Sequence, residues 1–216
     1  GASVYMLAPG SEKSPKNILE TIAIGNISVI HFVPSMLNVF LEYLNADPDK
    51  VVTLKNLRQV YTSGEALLPE MVIRFKELLP HVNLMNLYGP TEVSIDVSYF
   101  DCTKEAIGDF VPIGKAIDNT SVVLLNSNHA LIPYGSIGEI CIGGVGLARG
   151  YLNRPDLTSE KFINNPYKAD ERLYKTGDLG RWNDQQKLEY LGRIDDQVKI
   201  RGYRIELGEI ESVLSQ

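Results

Sequence analysis

Tryptophan occurs once, cysteine twice and histidine three times in 216 residues, and each scarcity closes off a class of function. Cys102 and Cys141 stand far apart in sequence, with no C-x-x-C and no histidine at ligand spacing. Neither a zinc site nor a disulfide framework is expected, and a reducing, cytoplasmic setting is the default. His31, His81 and His129 are scattered and point to neither a metal centre nor a triad. Basic residues are outnumbered 27 to 21, for a net charge of −6. With no basic block against that excess, a nucleic-acid partner is not expected. No apolar run approaches the ~18 residues of a membrane span, so no membrane partner is expected. The opening GASVYMLAPG lacks the charged and apolar regions of a signal peptide. What remains is an ordinary globular composition, 44% hydrophobic and 22% charged, in a chain long enough for one large or two small domains.

The chain opens without Met in a strand-like stretch and stops inside the amphipathic LGEIESVLSQ, so it is expected to be cut from something larger. From the start to about Phe110, apolar and amphipathic runs alternate. NISVIHFVP (26–34), LRQVYTSG (57–64) and VNLMNLYGP (82–90) read as strands; PSMLNVFLEYLN (34–45) and LPEMVIRFKELLP (68–80) have helical spacing. Such alternation predicts an α/β unit over 1–110, a parallel sheet covered by helices. Ligands of such sheets sit beyond the carboxyl ends of the strands, where SGEA and GPTE fall. From Val111 to Arg193 short β-rich runs are separated by Gly, Asn, Asp and Pro turns, predicting a barrel-like or packed-sheet subdomain with one helical run at 155–162. Residues 194–216 read as a polar turn, a hairpin and the start of a helix.

Four segments stand out: SGEALLP (63–69), NLYGPTE (86–92), YKTGDLGRW (174–182) and GRIDDQVKIRGYRIELGEIE (192–211). Singly, Gly64 and Gly89 read as turn glycines, Asp178 as a turn former and Arg193 as a surface charge. In this order they resemble the core motifs of the adenylate-forming superfamily. The run GEICIGGVGLARGYLNRPDLTSEKF (138–162) followed by RLYKTGDLGRW is most similar to the adenylation domains of nonribosomal peptide synthetases, of the bacitracin, gramicidin and tyrocidine synthetase kind. The glycine-rich GGVGLARG lacks G-x-G-x-x-G, so a dinucleotide site is not expected there.

The resemblance implies a two-step ligase of antibiotic biosynthesis. An amino acid and ATP give aminoacyl-AMP and pyrophosphate, and a phosphopantetheine thiol on a peptidyl carrier domain then takes the acyl group. A neighbouring condensation domain in a multidomain synthetase is implied too, as is a monomeric module. Carried over by position, Tyr88 stacks on adenine beside Asn86, and Gly64, Glu65 and Ala66 line the base, largely through backbone. Thr91 donates to the α-phosphate and Glu92 ligates Mg²⁺. Asp178 accepts the ribose hydroxyls, Arg193 reaches the ribose and phosphate side, and Asp195 is the hinge of a small C-terminal lid. Lys199 to Arg204 resemble the hairpin that enters the site for thioester formation, with Gly202 allowing close approach. Glu206, Glu209 and Glu211 read as a solvated helix face.

The side-chain pocket maps to His31, Tyr61, Ser63, Leu87, Ile95 and Asp96. Polar groups on His31, Tyr61, Ser63 and Asp96 would be left without partners by an aliphatic or aromatic substrate, so a polar amino acid is favoured, with Gln or Glu the nearest match. The phosphate loop, the aspartate for the substrate amino group and the C-terminal lysine of the family are not in these residues. The chain alone is therefore expected to be inactive. A stand-alone amino-acid or aryl-acid ligase and a non-catalytic adenylation-like binding module are the alternatives; an acyl-CoA synthetase fits the 138–162 segment less well.

Overall fold

The computed structural model describes residues 1–195, 197–200, 202–205 and 207–214. The chain forms two compact units, one of Gly1–Asn86 with Asp101–Val111, the other of Leu87–Phe100 with Pro112–Gln216.

The first unit opens differently from expectation. Residues 1–8 form no strand, because Val4 and Met6 remain more than three-quarters exposed and no burial rewards ordering them. After a short 3-10 turn at Ser11–Lys13 comes a helix that the sequence reading passes over, α1 (Pro15–Ile24). Its start is encoded locally. The Ser14 hydroxyl accepts the Asn17 N–H at 3.3 Å, and Pro15 occupies the first helical position. Ile18, Leu19 and Ile22 then share its buried face.

Strands β1 (Val29–Phe32), β2 (Gln59–Thr62) and β3 (Asn83–Tyr88) follow, with α2 (Pro34–Asn45) and α3 (Pro69–Leu78) between them. They pair in parallel, Phe32 opposite Thr62 and Thr62 opposite Asn86, as the helical crossovers require. The α2 core face is Leu37, Phe40, Leu41 and Leu44, all essentially inaccessible. Both crossover helices begin on proline after an apolar residue with no side-chain cap.

In the second unit, β4 (Ser98–Asp101) pairs antiparallel with β5 (Lys115–Ala116). An antiparallel half-barrel follows. Its strands are β6 (Thr120–Leu125), β7 (Gly138–Gly144), β9 (Arg172–Trp182) and β10 (Leu188–Arg193), in the order β10–β9–β7–β6 with β8 (Phe162–Asn164) on β9. The short α4 (Pro155–Lys161) precedes β8. Val93, Val97, Ile113, Leu124, Ile140, Ile142, Phe162, Tyr174 and Leu188 form the core. The expected hairpin is present as β11 (Val198–Ile200) and β12 (Tyr203–Ile205), with Gly202 at φ 79°, and α5 (Leu207–Leu214) follows. Arg201 of the expected hairpin and Glu206 of the expected acidic face lie outside the described residues. Among the described residues no helix is long and apolar enough to cross a membrane.

Neither cysteine forms a disulfide, and both have no measurable exposure. Burial pushes each thiol up to about 12, so neither supplies thiolate near neutrality. Iodoacetamide at pH 8 is expected to leave Cys102 and Cys141 unmodified in the folded protein and to label both in denaturant. Mass spectrometry showing stoichiometric native labelling would contradict the buried placement.

Candidate active site

The first unit carries one group of the expected residues along the carboxyl ends of its parallel strands. Pairing of β1 with β2 sets His31 opposite Tyr61, and His31 Nε2 lies 2.9 Å from Ser63 Oγ. Three of the six expected pocket residues are thus brought together by strand register and one hydrogen bond. Thr62, fully buried, donates its hydroxyl towards the Met85 carbonyl and Asn86 Oδ1, both at 3.4 Å. The Asn86 side chain that receives the second contact is itself 3% exposed.

Beyond Ser63 the chain turns through Gly64 at φ 91°, where a Cβ would also press on Val33 at 3.2 Å. Glu65 then reaches back to accept the Ser35 N–H at 3.0 Å. Its carboxylate satisfies a first-turn donor of α2, the helix whose preceding residue, Val33, cannot cap it. The side chain of Glu65 therefore serves the scaffold. Ala66 is exposed.

In the second unit the chain leaves β3 through Tyr88-Gly89-Pro90 into a single turn, Thr91–Val93. Gly89 packs so tightly that a Cβ there would lie 2.1 Å from the Ile95 carbonyl oxygen. Ser94 and Ile95 follow with φ of 64° and 78°. For a β-branched residue that is a strained conformation, of a kind that gathers at functional sites. It leaves Ile95 67% exposed, while Leu87 and Asp96 are half-buried. Thr91 is exposed; Glu92 is 8% exposed and accepts the Tyr151 hydroxyl at 2.8 Å.

Strand β9 supplies the other acidic residue. Alternation puts Tyr174, Thr176 and Asp178 on one face of it, and all three are buried. The Thr176 hydroxyl donates to the Ile140 carbonyl at 2.7 Å and accepts the Asp178 N–H at 2.9 Å. Asp178 Oδ2 accepts the Tyr88 hydroxyl and Oδ1 accepts Arg193 Nη1, each at 2.6 Å. Arg193 sits opposite Asp178 across β9 and β10. Its remaining donors, Nε and Nη2, go to the two oxygens of Asp195 at 2.6 and 2.8 Å.

The electrostatics follow from these distances. Burial first, then the Asp178 charge and its hydrogen bond, push the Tyr88 phenol well above its ordinary 10.0. Burial opposes the Arg193 charge, but Asp195 and Asp178 outweigh it and hold the guanidinium above its ordinary value. The bond from Arg193 draws the Asp195 carboxyl below 3.8.

Four contributors escape the motif reading: Thr176, Tyr190, Glu139 and Tyr151. Tyr190 places its ring 6.4 Å from that of Tyr88, and Glu139 Oε1 accepts the Gly177 N–H at 3.0 Å. The alternation along β9 is enough to find Thr176. Nothing in local spacing indicates the roles of the other three, although Tyr190 shares β10 with Arg193 and Glu139 and Tyr151 lie within the 138–162 run.

Known proteins place these observations in a family. The model of the AMP-binding enzyme family matches residues 1–152. The chain is 51% identical over 219 residues to a mycosubtilin synthase protein of Bacillus subtilis, covering 99% of this chain and 8% of that protein. It is 50% identical to zwittermicin A synthase ZmaJ of Bacillus cereus, spanning 99% of this chain and 41% of that protein. Among solved structures, holo-PA1221, a protein containing adenylation and PCP domains, superposes with a TM-score of 0.84 at 34% identity, over 94% of this chain and 35% of its own. The Vibrio cholerae adenylation domain AlmE, in complex with glycyl-adenosine-5'-phosphate, gives 0.84 at 31% identity, over 97% and 39%. The chain thus spans well under half of each of these relatives, and on the match over 1–152 it belongs to the AMP-binding enzyme family.

Proposed function

We propose that this chain is part of an amino-acid-activating adenylation domain of a cytoplasmic nonribosomal peptide synthetase. A substrate carboxylate oxygen attacks the α-phosphorus of ATP, the bond to the bridging oxygen breaks, and pyrophosphate leaves. The phosphopantetheine thiol of a carrier domain then attacks the acyl carbon, loses its proton, and expels AMP. The observation that carries the reading is the Tyr88–Asp178–Arg193 set: an aromatic ring, a buried carboxylate and a cation in one hydrogen-bonded array. A carboxylate so held can accept from both hydroxyls of a ribose, next to a ring suited to a base. The relative solved with glycyl-adenosine-5'-phosphate supports the same product class, and PA1221 joins an adenylation domain to a PCP domain.

The residue roles follow the resemblance. Asn86 and the backbone of Gly64, Glu65 and Ala66 serve the base, with Tyr88 stacked on it. Thr91 serves the α-phosphate, and Arg193 the ribose and phosphate side. Asp195 is the hinge of the lid that begins near residue 194, after subdomains over 1–110 and 111–193. His31, Tyr61, Ser63, Leu87, Ile95 and Asp96 select a polar side chain, Gln or Glu.

Magnesium is tested by the donor set. Among the described residues no three His, Cys, Asp or Glu side chains cluster as a metal cage. Glu92 alone offers a buried hard-oxygen donor beside Thr91. That fits an ion which takes one or two carboxylates and completes its shell with phosphate oxygens and water. Bound there through Glu92, it would neutralise charge on the phosphates, the main requirement of phosphoryl transfer.

The test is amino-acid-dependent ATP–pyrophosphate exchange by the full-length protein across the standard amino acids. Exchange led by Gln or Glu is expected, with Asp96→Ala altering that preference; the isolated 216-residue chain should show none. Failure with every amino acid would favour a non-catalytic module, and an unaltered preference in Asp96→Ala would refute the pocket assignment.

A further inference from the structure

The glycine-rich run 143–150 has no role in the sequence reading, yet it lies along the Thr91–Val93 turn. The Ala148 N–H donates to the Glu92 carbonyl, and the Ser94 hydroxyl donates to the Gly146 carbonyl, both at 2.8 Å. A Cβ on Gly146 would stand 3.1 Å from the Val93 carbonyl oxygen, a tight contact. At the end of this run the Tyr151 hydroxyl donates to Oε1 of Glu92.

What places Tyr151 is independent of Glu92. Its N–H donates to Thr158 Oγ1 at 2.9 Å, and the Thr158 hydroxyl donates in turn to the Arg154 carbonyl at 2.8 Å. Gly150, at φ 148°, comes so near Thr158 that a Cβ would lie 2.5 Å from its methyl. The Tyr151 ring meets Phe162 edge-on at 5.6 Å, and its hydroxyl is 3.4 Å from that of buried Tyr174. Arg172 donates to the carbonyls of Ala148 and Arg149 at 3.0 and 3.1 Å. Packing and backbone bonds therefore aim the phenol before the carboxylate is considered.

We propose that Tyr151 is a positioning residue for Glu92. Its fixed hydroxyl sets the rotation of the carboxylate so that Glu92 meets a divalent cation without first losing side-chain freedom. The segment 144–158 thereby acquires a function: glycines for close approach to the turn, Tyr151 as the strut, Thr158 as its anchor. The inference rests on the reading of Glu92 as the cation-binding carboxylate. Partners of metal-ligating carboxylates typically contribute about 10- to 100-fold in metal affinity.

The experiment measures Mn²⁺ binding by electron paramagnetic resonance, with ATP present, on the full-length protein and its Tyr151→Phe and Glu92→Gln variants. Mg²⁺ dependence of exchange and the melting temperature are read alongside. Tyr151→Phe is expected to weaken Mn²⁺ binding about tenfold and to raise the Mg²⁺ requirement in step, with KM for the amino acid unchanged. A purely structural tyrosine would lower the melting temperature and leave cation binding intact. If Glu92→Gln weakens Mn²⁺ binding and Tyr151→Phe does not, the positioning role is overturned and the Glu92 reading stands. If Glu92→Gln itself binds Mn²⁺ like the wild type, the Glu92 reading falls. Should Tyr151→Phe fail to fold, Thr158→Val loosens the same phenol from behind. A two- to threefold loss of Mn²⁺ affinity supports the proposal, and wild-type affinity overturns it.

Discussion

Gly89→Ala is expected to abolish ATP–pyrophosphate exchange in the full-length protein and to lower its melting temperature by on the order of 10 °C. The added Cβ would lie 2.1 Å from the Ile95 carbonyl oxygen, 2.7 Å from the Ile95 carbonyl carbon and 2.8 Å from the Asp96 Cα. All three are backbone atoms, so no rotamer change relieves the clash. The segment that would have to move already holds Ser94 and Ile95 at positive φ, each at a cost of about 1–3 kcal/mol. It has little room to yield. Overpacking against backbone costs about 3 kcal/mol or more, and the displacement falls on the turn that carries Thr91 and Glu92. A shift of about 1 Å there is enough to remove a large share of activity. An alanine variant that melts within about 2 °C of the wild type and retains exchange would show that the turn is looser than its geometry implies.

That result separates what could be read in NLYGPTE from what could not. The Gly-Pro pair marks a turn after a strand in any chain, and the turn is there. The reason for Gly89 is the approach of Ile95 and Asp96, a contact that spacing does not encode. The helices α2 and α3 were legible because proline starts each and apolar residues recur every three or four positions. Helix α1 was equally legible in its Ser-Pro start, but the apolar residues just before it drew the reading towards a strand. Val4 and Met6 look like strand residues and have nothing to bury against, and intrinsic preference without packing forms no sheet. The candidate site residues are assigned through motif resemblance. Glu139 and Tyr151 lie inside the quoted 138–162 run, yet they and Tyr190 carry no role in the sequence reading, because a supporting role is defined by the three-dimensional neighbour. Glu65 shows the converse: a motif residue whose side chain is spent on capping α2.

Asp178 offers a test in which fold and function separate. Its carboxylate is 4% exposed and accepts from Tyr88 and Arg193 at 2.6 Å each. Asp178→Ala leaves the guanidinium, 11% exposed along its side chain, still paired with Asp195. Removing one member of a buried pair costs about 3–5 kcal/mol, and retention of Asp195 puts the expected loss near the lower end. Asp178→Asn is gentler. Its amide oxygen can accept from Arg193 while its NH₂ donates to the Tyr88 oxygen, so both contacts survive and only the charge is lost. The asparagine can no longer accept from two ribose hydroxyls. With about 1.5–3 kcal/mol for each hydrogen bond to a charged group, the KM for ATP should rise roughly 100-fold in both variants, while only Ala unfolds early. A pH scan adds a second signature. Because the folded-state Tyr88 value is raised, the neutral phenol contributes stability that is complete below its ordinary 10.0 and lost as pH climbs through the raised value. Without the Asp178 charge that value falls back, so the Asn variant should lose less stability between neutral and alkaline pH than the wild type, each measured from its own neutral-pH value. An Asn variant with wild-type KM for ATP would remove Asp178 from the ribose, whereas an alkaline stability loss as large as that of the wild type would remove its charge from Tyr88.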